Sequence, residues 1–158
     1  MVVAVGLACG MMSSAFDGKA PESLDVCTLV GSWQRFSGKR VRISAVFHEG
    51  AEQSVLSDPA CQSGESLIFV SASAHLSGKT RQLRRILKHG REAQVVLEGI
   101  FSGPEPIAVD PKLPDWMKEK FEGSTKRYGH LGSLDMMIEV ENVIDVKRVH
   151  DIGKRRSP

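Results

Sequence analysis

The succession of hydrophobic periodicities predicts an α+β fold that is mainly β with two helices. Its centre is a small antiparallel barrel of five strands, with an N-terminal helix and a second helix between strands three and four. Two observations carry this. Period-two alternation recurs in separate stretches, whereas a sustained helical period appears only near the N-terminus and near the middle of the chain. The connections are short except for one proline-rich excursion before the last strand.

The strand at Arg40 to Phe47 has the clearest pattern. Val41, Ile43, Ala45 and Phe47 fall on one side, and Arg40, Arg42, Ser44 and His48 on the other, with Gly38 marking the turn that launches it. Before it, Leu24, Val26, Cys27, Leu29, Val30, Trp33 and Phe36 recur at three- and four-residue steps, which predicts a helix over Glu22 to Phe36. Pro21 precedes its start, and Ser37 and Gly38 follow its end. His48 to Gln53 reads as a turn, Ser54 to Ser57 as a second strand, and Asp58 to Cys61 as a loop. The apolar run to Val70 from Ser66 predicts a strand buried on both faces, and the small, polar Ser71 to Gly78 a loop. Lys79 to His89 returns to helical period through Leu83, Ile86 and Leu87, with Gly90 as its stop. Ala93, Val95, Leu97, Gly99 and Phe101 form one face of a fourth strand over Glu92 to Phe101. Ser102 to Gly132 is the long excursion, with Pro104, Pro106, Pro111, Pro114 and a helical turn around Leu113 to Phe121. Leu134, Met136, Ile138 and Val140 alternate in the last strand, which runs on raggedly towards Val149.

Five strands with a helix between the third and fourth is the oligonucleotide/oligosaccharide-binding (OB) arrangement. The segments Cys27 to Leu29, Phe36 to Ala45, Leu56 to Cys61, Val96 to Phe101 and Tyr128 to Gly132 resemble small exported bacterial proteins of unknown function with an OB-like core. The resemblance spans Leu24 to Val146. It implies export and the barrel, and carries no activity.

At 158 residues the chain is one domain by length, placed here at residues 22–150, and 41% apolar with 25% charged residues is ordinary for a globular protein. A net charge of +2 implies no nucleic-acid or membrane partner by itself, so electrostatic arguments must be local. Residues 1–15 carry no charge and read as the apolar part of a signal peptide, with Ser13 and Ala15 as small residues at a cleavage site. The charged n-region is missing, and a buried segment or a lipid anchor at Cys9 are the alternatives. The stretch is too short for an ordinary spanning helix of roughly 20 residues. With Cys9 removed, Cys27 and Cys61 remain and would form one disulfide in an oxidising compartment; two separate buried thiols are the alternative. Residues 151–158 read as a basic tail.

Two constellations invite a functional reading. Arg81, Arg84, Arg85 and Lys88 lie opposite the apolar stripe of the middle helix. They form either an anion footprint, for phosphate, acidic polysaccharide or anionic lipid heads, or a solvated face balanced by neighbouring acids. Gly129 and Gly132 bring Tyr128 and His130 into one tight turn at the end of the long loop, either as ligand contacts at the barrel rim or as a lock hydrogen-bonded to loop backbone. Trp116 in the same loop, and Arg40 and Arg42 on the first strand, could complete that rim. The histidines show no metal-ligand spacing, and neither a metal nor a cofactor is expected. No GxSxG, P-loop or GxGxxG occurs.

The leading expectation is therefore a non-enzymatic exported barrel that binds an anionic glycan or an envelope protein at Arg40, Arg42, Trp116, Tyr128 and His130, or scaffolds envelope components. A hydrolase with its site in the Ser102 to Gly132 loop is the rival, and a nucleic-acid-binding module a further one. An aromatic content of 6% weighs against the last, because OB-type single-strand binders stack bases on sheet aromatics.

Overall fold

A computed structural model describes residue 21, residues 23–61 and residues 67–149. The proposed leader and the basic tail lie outside the described residues. The strands are β1 (Ser23–Asp25), β2 (Arg40–Glu49), β3 (Ser54–Ser57), β4 (Ile68–Gly78), β5 (Glu92–Ser102) and β6 (Met137–Lys147). The helices are α1 (Val26–Gly31), α2 (Trp33–Phe36), α3 (Thr80–Gly90) and α4 (Asp115–Phe121), with a 3-10 turn at His130–Gly132.

The strands form one mixed sheet in the order β1-β2-β3-β4-β6-β5, and β5 pairs again with β2. The hydrogen-bonded path thus curls round from β2 to its own start. An antiparallel barrel was expected, and this is corrected: β1–β2 and β4–β6 are parallel. The reason is geometric. Five strands whose directions alternate along the chain cannot be antiparallel at every seam of a circuit, and the odd seam falls at β4–β6. The circuit is also uneven. Only two residue pairs join β3 to β4, and the β4–β6 register breaks between Ala72 and Ser77.

β2 behaves as its alternation predicts. Val41, Ile43, Ala45 and Phe47 are buried, and β5 answers with Ala93, Val95, Leu97 and Phe101. β1 takes the part of the other β2 edge that β3 does not reach, pairing with Arg42 to Ser44 while β3 pairs with Val46 to Glu49. β6 keeps Ile138, Val140, Val143 and Val146 inside, a spacing of two, three and three. Glu141 and Ile144 are the extra residues at its two register shifts against β5, which is why the alternation looks ragged in sequence. At the first shift Gly99 is required: a Cβ there would lie 2.2 Å from the Glu139 carbonyl oxygen.

Two further expectations need correction. The single helix over residues 22–36 is instead a short strand and two short helices. Asp25 caps α1 by accepting from the Thr28 amide at 2.7 Å and the Thr28 hydroxyl at 3.0 Å, and the chain leaves helical geometry at Ser32. Trp33 closes against residue 103, where a Cβ would lie 2.4 Å from its ring, so Gly103 fits there. The Ser71 to Gly78 loop is a continuation of β4, held by backbone pairing to β6 despite its small side chains.

Cys27 and Cys61 are disulfide-bonded with Cα atoms 5.5 Å apart, tying α1 to the loop after β3. The bond is consistent with an oxidising compartment. Among the described residues no helix is long and apolar enough to cross a membrane.

Candidate rim site

The turn between β2 and β3 and the end of the long β5–β6 connection meet, although they are far apart in sequence. Gln53 is the hinge of that meeting. Its Oε1 accepts from the His130 amide at 2.8 Å and from the Ser133 hydroxyl at 3.2 Å, while the His130 ring lies 3.4 Å from the Glu52 carboxylate. Residues 50–53 with His130, Leu131 and Ser133 line an open hollow of about 540 Å³.

The loop is held from both sides. Arg127 donates to the carbonyls of Gly132 at 2.7 Å and Ser133 at 3.2 Å, and pairs with Asp135 at 3.3 Å. Gly129, Leu131 and Gly132 all have positive φ, and at Gly129 a Cβ would collide with Gln53 Oε1 at 2.4 Å. This path pushes Leu131 out until it is 91% exposed. A leucine at φ 52° stores on the order of 1–3 kcal/mol, which the surrounding hydrogen bonds must offset.

The five residues expected to share a site are divided among three places. His130 is in the rim. Tyr128 lies beneath it, 6% exposed, with its backbone paired to Leu134. Its hydroxyl has no hydrogen-bond partner among the described residues, so burial of the ring and backbone pairing lock the loop, and the hydroxyl bonds expected for such a lock are not made. Arg40 and Arg42 are at the opposite end of β2 from residue 50, roughly 26–33 Å away at about 3.3 Å per residue. There Arg40 pairs with Glu141 at 2.6 Å, and Arg42 donates from Nε to Glu98 at 2.8 Å. Trp116 is separated by a zip. The legs of the long loop join at Pro106 and Thr125, with Ile107 donating to Ser124 at 3.0 Å and Lys126 to Glu105 at 2.7 Å. α4 sits beyond that zip, where Trp116 is 57% exposed with Lys120 over its ring at 5.3 Å.

The sequence reading missed Glu52, Gln53 and Ser133. The expected strand order would set the first inter-strand turn beside the last long loop, but it singles out none of these residues. Among the described residues the only three-membered group with metal-ligand atoms close together is Cys27, Asp58 and Cys61, and there the two sulfurs are bonded to each other. No family model, curated protein or solved structure matches this chain.

Proposed function

We propose that this is an exported, non-enzymatic binding protein, that its curled sheet is an OB-like barrel, and that its rim takes a protein partner. The observation that carries the reading is the junction of residues 50–53 with His130–Gly132 around the exposed Leu131. Numbered from β2, these belong to the first–second and fourth–fifth strand loops, the two that the OB architecture uses for binding. An exposed apolar side chain on a loop whose backbone is tied by hydrogen bonds, with polar groups around it, suits a protein contact, because part of the loop's ordering cost is met before association. An anionic glycan is less well served: Arg127 is engaged with Asp135 and two carbonyls, and the rim itself contains Glu52. The hydrolase alternative would need a nucleophile–base contact, whereas the Ser133 hydroxyl is directed to Gln53. Export is supported by the disulfide and by the uncharged N-terminal stretch.

The test is to place a photo-crosslinking amino acid at Leu131 and, separately, at Trp116, in cells that export the protein. The reading expects a discrete protease-sensitive adduct from position 131 and none from 116. Adducts from 116 alone would move the site to the arm, and none from either would remove the rim reading.

A further inference from the structure

The outward face of α3 is a second surface, distinct from the rim. Leu87 is buried and Leu83 and Ile86 pack against the core, while Arg81, Arg84, Arg85 and Lys88 are exposed. Their spacing places the four on one helix face over about 10 Å. Neighbouring acids do not balance them: among the described residues, no ion pair joins any of the four to a carboxylate. α3 packs beside β6, where Gln82 donates to the Val146 carbonyl at 3.0 Å. The acid on that part of β6, Asp145, is taken by Lys79 at 2.7 Å and Lys147 at 3.2 Å. Residues 79–91 and 143–149 together hold eight Lys or Arg and one acid. Of the chain's 21 cationic and 19 acidic residues, the remainder carries a formal charge of −5. A near-neutral total thus conceals a strongly one-sided molecule.

We infer that this face is an electrostatic docking surface for an anionic phospholipid bilayer. Its shape favours a bilayer over a nucleic acid. The face is a convex helix with no Phe, Tyr or Trp between positions 79 and 91 and a single imidazole, His89, at its end, so it provides no row of rings on which successive bases could stack. A bilayer is broad, and its mobile phosphates can gather beneath a convex cluster of cations. The apolar side chains of α3 are committed to the core, so the protein adsorbs without inserting this helix, and binding is reversible and screened by salt.

Sedimentation with phosphatidylcholine vesicles, with and without phosphatidylglycerol, tests this. The protein is expected to pellet with anionic vesicles only, and to be released as salt rises. Each cation near an anionic surface contributes about five-fold in affinity, so Arg84→Gln with Arg85→Gln should weaken binding roughly 25-fold. Adding Arg81→Gln and Lys88→Gln should abolish it, with the circular dichroism spectrum unchanged. Replacing the three arginines by lysine should preserve binding, since a bilayer reads charge and not a bidentate fork. Should the four-fold variant not fold, the paired variant and the wild-type salt titration decide. Equal binding to neutral vesicles, insensitivity to salt, or undiminished binding by the glutamine variants would overturn the inference. Binding to duplex DNA at a salt concentration that releases the vesicles would also overturn it, in favour of a nucleic-acid surface.

Discussion

Replacing Cys27 and Cys61 together by serine isolates the contribution of the one covalent tie. The bond joins residues 34 apart in sequence, and the chain-entropy relation for a loop of that length gives about 3.8 kcal/mol at 25 °C. The segment it secures has few other anchors: Val26 and Leu29 are the buried residues of α1, and β1 pairs with β2 over three residues. Against an ordinary total of about 5–15 kcal/mol, the loss is a large fraction of stability. At about 2–4 °C per kcal/mol for a chain of this size, the melting temperature should fall by roughly 8–15 °C. Urea denaturation of the oxidised wild type and the double variant measures the difference directly. The denaturant slope should rise in the variant, because its unfolded chain exposes more surface. A difference below about 1 kcal/mol, or free thiols at Cys27 and Cys61 in the wild type as isolated, would refute the reasoning.

Other consequences follow from particular contacts. Gly99→Val places a side chain against the β6 backbone, which has no room to yield, and should cost at least about 2 kcal/mol in a denaturation experiment. Tyr128→Phe should leave stability within about 0.5 kcal/mol, whereas Tyr128→Ala should cost about 3 kcal/mol or more, because the ring and not the hydroxyl holds the loop. Hydrogen bonds from Lys79 and Lys147 lower the Asp145 carboxyl to about 2, and the Thr28 amide lowers that of Asp25. Folded-state values below the unfolded one mean that both groups support the fold at neutral pH and lose that support on acidification, Asp145 as pH falls from about 4 towards 2. Melting temperature against pH should show this decline, and it should be shallower in Asp145→Asn.

Much of the sheet was legible in the sequence because β2 and β5 bury one face each, and a period of two survives in side-chain type. β3 and the start of β5 fall where turn residues and alternation place them. What was missed has physical causes. The second half of β4 is made of small residues whose strand geometry comes from pairing with β6, a non-local term invisible in a local window. The Leu24 to Phe36 stretch has helical spacing, but the cap at Asp25 and the break at Ser32 divide it, and Leu24 goes to a strand. The two bulges of β6 shift its inward face at Glu141 and Ile144. At the rim, His130 could be proposed from its glycine neighbours. Gln53 could not, because its role depends on a chain segment 77 residues away. Arg40 and Arg42 were read as rim charge from their position on an outer face, which does not tell one end of a strand from the other.

The assembled rim is the central claim, and the adduct yield from a photo-crosslinker at Leu131 in a Gln53→Ala background tests it most directly. Gln53 touches the loop at the His130 amide and the Ser133 hydroxyl, so its removal unseats Leu131 while leaving the core intact. The rim reading predicts that the adduct falls at least several-fold with the melting temperature nearly unchanged. An undiminished adduct in that background would contradict it, because capture at position 131 would then not depend on the junction of the two loops.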